Sequence, residues 1–507
     1  MTLAPDASAP PPWIRFRASP ADLLITSAFV FLLIVLSAHH EMWRDEIHAW
    51  GLVESSKGLV SLFHNIRYTG HPGLWYLLLW LTTFVTSSPF AVQVASAVIG
   101  TALIALIGLA SPFSRTERIL LLGSYFVIFE YTVVSRNYGI GMLLALIYAQ
   151  LRATRPDASI AAGTTLGLLA NTNAFAFMLS GALALEHAWT RLDSAQPWRD
   201  VVKSLGAGTL IYLACVAVSA AAMWPARDIS WRTTGHPLES YADVYRLIAA
   251  AGANAGAVLS VDAPDLAGTV LGPSTYVLLC LCIPVLAFVY VYLLGGERRL
   301  LIIPALTGLG AIAFNHLIYF GFIRHWGINF VALVTTLWIA LSHRRLPTLP
   351  IVTIFALSAV AGLAVTVRTW TAPFSNAGRA AEWIETHGLA DAALVGTPDT
   401  LVSNVAQRLR RPIYFLDCSC TDTYAVFSRR RDDFDQKQIP ERLARAMGSF
   451  GDRPVVFVDA APLAPEQAIE LQALGVEATE MASFEGAMTG EDFWLYRVTG
   501  MALGLRK

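Results

Sequence analysis

The sequence predicts a polytopic α-helical membrane protein with a small α/β domain at its C-terminal end. Three observations carry the prediction. Of 507 residues 55% are hydrophobic and only 14% are charged, which is too apolar and too lightly charged for an ordinary soluble chain. Apolar segments long enough to cross a bilayer recur as far as about residue 370. Beyond Ser375 charges rise, and short apolar runs alternate with helical patterns.

Candidate spans lie near residues 21–39, 90–112, 118–135, 137–152, 159–173, 174–190, 203–224, 271–294, 299–320, 324–342 and 348–370. The first, preceded by Arg15 and Arg17, lacks a small-residue cleavage pattern and reads as a retained span. The run from Pro72 to Thr86 is the exception, since at about 1.5 Å per residue it reaches about 22 Å of a roughly 30 Å hydrocarbon layer.

Charge decides how to treat that run. Basic loops should stay cytoplasmic, and they occur at the N-terminus, Arg115 with Arg118, Arg152 with Arg155, Arg191 with Arg199 and Lys203, Arg298 with Arg299, and Arg344 with Arg345. They share one side only if residues 72–86 do not cross. The run is therefore expected to lie along the outer face as an interfacial helix, with Trp75, Tyr76 and Trp80 at headgroup level. The count becomes about 11 transmembrane helices, N-terminus inside and C-terminus outside. The expected domains are 1–372, transmembrane, with an outer loop at 40–89, and 373–507, extracytoplasmic.

In the C-terminal portion AALVGT (392–397), PIYFLD (412–417) and PVVFVD (454–459) read as buried parallel strands, and FWLYRV (493–498) as a final strand. No glycine-rich phosphate loop follows any of them, which argues against a nucleotide site. The run Arg429, Arg430, Arg431, Asp432, Asp433 reads as a solvated face. Cys418 and Cys420 read as two reduced or incidentally oxidised thiols rather than part of a disulfide framework. A net charge of -1 without long basic runs gives no support to nucleic-acid binding, which is set aside.

The outer side then collects unusual polar residues: the loop 40–71 with Glu41, Arg44, Asp45, Glu46 and His48, the junctions Ser135 to Tyr138 and Asn171 to Asn173, the loop 225–270, and Arg324 with His325. Ionisable groups at a membrane face are costly and are functional candidates for that reason. A sugar transferase working outside the cytoplasm needs a donor delivered through the membrane, and a polyprenyl-phosphate sugar fits. Its site needs a carboxylate for the acceptor's proton, cations for the departing phosphate and a lipid-accessible groove. Asp45, beside Glu46, supplies the base; Arg136 and Arg324 supply forked cations. Competing readings stay open for each: Asp45 and Glu46 as a charge pair favoured by a helix N-terminus, the arginines as headgroup anchors, Tyr138 as a belt aromatic, and Glu130 as a partner of Arg136. His48, with His71, His316 and His325, is a candidate set for a divalent metal ion.

The ordered set Trp43, Arg44, Asp45, Glu46, then Gly70, His71, Pro72, Leu74, Trp75, Tyr76, resembles the GT-C glycosyltransferases, in particular the branch with protein O-mannosyltransferases and lipid A aminoarabinose transferases. EYTVVSRNYGIG (130–141) and LLANTNAF (168–175) resemble a bacterial subgroup labelled family-39 glycosyltransferases. The likeness covers roughly residues 20–345. Gly73 stands where the family has a second proline, and Asn171, Thr172, Asn173 replace a tract that often carries His or Lys. The resemblance implies an inverting transfer at the periplasmic side of a bacterial inner membrane, with Asp45 near the acceptor and two short helices of the outer loop against the membrane. The donor is a polyprenyl-phosphate sugar and the acceptor a glycan, lipid or protein. A flippase of lipid-linked saccharides and a non-catalytic scaffold are the alternatives.

Overall fold

The computed structural model describes residues 19–193, 198–230, 241–259, 273–431, 434–451 and 453–500. Arg15, Arg17, Asp432, Asp433, the Lys203 side chain and parts of the 225–270 loop lie outside the described residues. The described residues open with α1 (Pro20–His39), capped by a reciprocal pair of hydrogen bonds between Ser19 and Asp22. The outer loop holds three short helices, α2 (Arg44–Glu54), α3 (Leu59–Ile66) and α4 (Leu74–Thr82). There follow α5 (Phe90–Ala110), α6 (Arg115–Leu122), α7 (Tyr138–Thr154), α8 (Ser159–Ala170), α9 (Ala174–Leu192) and α10 (Trp198–Met223). The bundle is completed by α11 (Tyr241–Val258), α12 (Pro273–Leu294), α13 (Ile302–Leu317), α14 (Ile323–Trp326), α15 (Ile328–Leu341) and α16 (Thr348–Arg368).

Among the described residues four helices are long and apolar enough to cross a membrane: Pro20–His39, Phe90–Ala110, Gly206–Met223 and Thr348–Arg368. Their outward faces leave Phe31, Val98, Leu210 and Val360 exposed, as a lipid solvent permits and water does not. α15, by contrast, is buried almost all round and forms the bundle's centre.

Three expectations about the helices are corrected. The stretch 118–135 is no continuous span: after α6 the chain widens into a π-helical turn, Phe126–Glu130, then runs irregularly to Asn137. Thr132 Oγ donates to the Val127 carbonyl, satisfying an acceptor that a regular helix would have used. The stretch 324–342 breaks at Gly327, where an added Cβ would stand 2.2 Å from the Phe126 ring and 2.5 Å from the Tyr131 hydroxyl. The 225–270 loop contains α11, whose Ala249, Ala250, Ala253 and Ala257 are buried in the bundle. Alanine gives a helix close contacts without the hydropathy that marks a span.

α4 is nine residues long, too short to span, and its Leu74 N–H donates 3.0 Å to the Asn171 carbonyl. Trp75, Tyr76 and Leu79 of α4 pack with Ile47 and Trp50 of α2, so the outer loop has a hydrophobic core of its own.

The C-terminal part starts with α17 (Ala377–Thr386) and builds a sheet from β1 (Ala393–Thr397), β2 (Ile413–Phe415), β3 (Cys420–Asp422), β4 (Val455–Asp459), β5 (Val476–Phe484) and β6 (Phe493–Gly500). The order is β3-β2-β1-β4-β6-β5. β1 pairs in parallel with β2 and β4, as their unbroken apolar runs predict; β3, β5 and β6 run antiparallel at the flanks. α18 (Asp399–Leu409) joins α17 on one face, with α19 (Ile439–Met447) and α20 (Pro465–Ala473) on the other. Here one open alternative is decided and one expectation changes. Cys418 and Cys420 are joined as a disulfide. Arg431 is no solvated residue, since it pairs with the buried Asp399.

The sheet domain is seated on the outer loop. Asn404 Nδ2 donates to the Met42 carbonyl at 3.0 Å, Arg408 pairs with Glu41 at 2.7 Å, and His48 Nε2 meets the Ala425 carbonyl at 3.0 Å.

Candidate active site

α2 begins where Trp43 leaves the extended region, and its first turn carries Arg44, Asp45 and Glu46. Adjacent residues point about 100° apart on a helix, so the two carboxylates face different surroundings. Glu46 turns inward and is fully buried. It accepts hydrogen bonds from the Trp43 and Ser135 backbone N–H groups, at 3.0 and 2.6 Å, and pairs with His40 Nε2 at 3.0 Å. The sequence placed Glu46 beside Asp45 in the chemistry; the structure gives it the work of capping α2 and tying the helix to the irregular 131–137 segment.

Asp45 turns the other way. Its Oδ2 stands 3.5 Å from Arg324 Nη1 and 4.0 Å from Arg136 Nη2, and its Oδ1 4.0 Å from Arg44 Nε. About a third of the Asp45 side chain reaches solvent (34%), against 9% and 10% for those of Arg136 and Arg324. Burial works to raise the carboxyl's pKa, but the Arg136, Arg324 and Arg44 guanidiniums overcome it and hold it well below the usual carboxylate range. Arg136 is fixed by a hydrogen bond to the Asp45 carbonyl, and Arg324 lies over the Trp43 ring at 4.2 Å.

The Nε groups of Arg136 and Arg324, the Trp43 indole N–H, the Tyr138 hydroxyl and His71 Nδ1 are all buried without a hydrogen-bond partner. Groups so placed cost stability unless something else satisfies them. Tyr138 stacks on Tyr131, whose hydroxyl donates 2.7 Å to the Arg324 carbonyl, and meets His325 edge-on. His325 Nδ1 accepts from the Phe322 N–H at 2.9 Å and so caps its own helical turn. Arg44, Asp45, His71, Arg136, Tyr138, Arg324 and His325 thus come together, from elements up to 281 positions apart in sequence by residue number (325 − 44).

His48 shares the helix face of Asp45, but its Nε2 is taken by the Ala425 carbonyl and its ring packs against Tyr424 and Phe427. Burial, then Arg136, lowers its pKa to about 4; the same two causes bring His71 to about 3. Among the described residues no three His, Cys, Asp or Glu stand together as a metal site. Glu130 receives the Tyr125 hydroxyl at 2.7 Å, while Arg136 pairs with Asp45.

Beside the arginines opens a cavity of about 370 Å³, bounded by Trp43, Arg44, Arg324, Glu130 and the small residues Ala361 and Ala364 of α16. Arg368, at the end of α16, lines it too. The charge count that singled out Arg136 and Arg324 would group Arg368 with them, a signal the sequence alone already carries. Glu491 was also missed. It reaches from the sheet domain to accept the Arg44 N–H at 2.9 Å, and no local pattern connects two residues 447 positions apart.

No family model matches the chain, and no curated protein matches it. Among solved structures, the crystal structure of ArnT from Cupriavidus metallidurans bound to undecaprenyl phosphate is similar. The identity is 14% over 95% of this chain and 98% of that chain, with a TM-score of 0.46.

Proposed function

We propose that this chain is a membrane glycosyltransferase that moves a sugar, with inversion, from a polyprenyl-phosphate donor to an extracytoplasmic acceptor. The observation that carries the reading is the slack cluster at Asp45: one carboxylate facing two almost buried guanidiniums at 3.5 and 4.0 Å, beside a cavity walled partly by a candidate membrane span. Those distances exceed a good charge-assisted hydrogen bond of about 2.7–2.9 Å, and leave the cations free to take a phosphate. In this reading residues 1–372 carry the reaction, and residues 373–507 complete the site from the periplasmic side of a bacterial inner membrane.

The electrostatics order the steps. By themselves the three arginines keep Asp45 ionised but weakly basic. The donor's phosphodiester, a monoanion, offsets part of their charge when it lies beside them, so the Asp45 pKa rises when the donor is present. The carboxylate then takes the acceptor hydroxyl's proton as the acceptor oxygen bonds to the anomeric carbon. The bond from that carbon to the phosphate oxygen breaks, and its electron pair leaves with the polyprenyl phosphate, stabilised by Arg136 and Arg324. Tyr138 and His71 have free polar atoms for the sugar hydroxyls.

The test incubates purified protein with a panel of radiolabelled polyprenyl-phosphate sugars and an envelope extract as acceptor, and follows release of the carrier phosphate. Asp45→Asn keeps the helix turn and its shape, and should insert normally while losing about 10²- to 10⁴-fold in transfer. Absence of turnover with every donor in folded wild-type protein would move the reading to a flippase. Full activity of Asp45→Asn would remove Asp45 from the chemistry.

A further inference from the structure

We propose that Glu491, contributed by the sheet domain, is a positioning residue of this site. It fixes Arg44, and with it the first turn of α2, at the mouth of the donor cavity. The inference rests on the donor-binding reading above and adds a partner to it from a different part of the chain.

The first N–H groups of a helix have no partner within it. Arg44, the first residue of α2, gives its N–H to Glu491 Oε1 at 2.9 Å. The second carboxylate oxygen accepts Asn404 Nδ2 at 3.3 Å, and that same amide nitrogen reaches the Met42 carbonyl at 3.0 Å. Glu491's own carbonyl accepts the Asn376 N–H at 3.1 Å. The side chain is completely buried, so its geometry is set by the protein and not by water.

Arg44 Nε stands 3.8 Å from Glu491 and 4.0 Å from Asp45. One guanidinium therefore lies between two carboxyl groups at nearly equal distance, Asp45 fully ionised and Glu491 raised by burial to about 7. Glu491 keeps Arg44 from collapsing onto Asp45, and it holds the group on the cavity wall shared with Arg324 and Arg368. Without this carboxylate, Arg44 would close on Asp45 and compete with the donor phosphate for the same space.

A carboxylate that merely glued the two domains would lower stability when removed, but would show no energetic link to Arg44 in ligand binding. Binding of decaprenyl phosphate to the full chain in lipid nanodiscs, followed by tryptophan fluorescence because Trp43 lies against Arg324, separates the two cases. Glu491→Gln should weaken binding about tenfold, and Arg44→Gln should also weaken it, while the double variant should bind no worse than Arg44→Gln alone. Additive losses, or wild-type affinity in Glu491→Gln, would overturn the assignment. Should Glu491→Gln not fold, Glu491→Asp keeps the charge and draws it back by one methylene. Its smaller loss should likewise vanish in the Arg44→Gln background, and additivity would again overturn the proposal. If the wild type fails to bind decaprenyl phosphate, the donor reading itself falls, and this assignment with it.

Discussion

Two arginine and carboxylate clusters lie at opposite ends of α7, and they are built to different tolerances. Near the Thr154 end, Glu186 is buried with both oxygens 3.2 Å from Arg152 Nη2, and it takes the Thr190 hydroxyl at 2.7 Å. Near the Tyr138 end, Asp45 keeps Arg324 and Arg136 at 3.5 and 4.0 Å and stays a third exposed. In the closed cluster Arg152 also meets His187 Nδ1 at 2.6 Å, so the ion pair is tight even though Arg152 Nε and the Tyr148 hydroxyl are buried without partners. The open one has a cavity beside it and several buried donors without acceptors. A buried pair contributes to structure only when its geometry is complete, so slackness in such a pair marks a place meant for something else.

Breaking the closed cluster should have the largest effect. Arg152→Met leaves Glu186 buried without its cation and should cost about 3–5 kcal/mol, seen as a lower midpoint in thermal unfolding. Transfer per folded molecule should stay at wild-type level. Arg324→Met acts on the open cluster and reverses the pattern: transfer should fall about a hundredfold, about 2.7 kcal/mol in barrier, with little change in the unfolding midpoint. Equal stability losses in the two variants would end the distinction.

Glu46→Gln sharpens it within a single turn of helix. The amide keeps one acceptor but loses the charged pairing with His40, and should cost about 1–3 kcal/mol of stability. If Glu46 shares the chemistry, the loss in transfer will exceed the loss of folded protein.

The last test concerns the sheet domain. Burial raises the Asp459 carboxyl to about 7, and burial together with Asp417 raises Asp399 to about 6. Between their ordinary value of 3.8 and these values the folded chain binds more protons than the unfolded one. Stability should therefore fall as pH rises through that window, leaving the domain firmer at the acid end. Hydrogen exchange of β4 across the range measures it, and Asp459→Asn should flatten the dependence.

Much of this architecture was legible in the residues, because hydropathy and strand patterning are local. The parallel run of β1, β2 and β4 follows from unbroken apolar stretches, and the short α4 from a Trp-rich run too brief to cross. Asp45, Arg136 and Arg324 were reached by asking which charges share a side. What escaped depends on distant contacts. α11 hides behind alanine, which packs well and scores poorly; β3 and β5 are flanking strands whose alternation is weak. Glu46 differs from Asp45 only in the direction it faces, and a pair of adjacent acidic letters does not encode that. Glu491 sits in a loop with nothing to distinguish it until the sheet domain is set down on α2.

The seating of that domain has one further consequence. Gly51 of α2 lies under Tyr424, and a single Cβ at that position would come within 2.6 Å of the tyrosine Cβ. The seam between the sheet domain and α2 is thus narrower than one methyl group at this point. Any residue larger than glycine there would act as a wedge between α2 and the sheet domain.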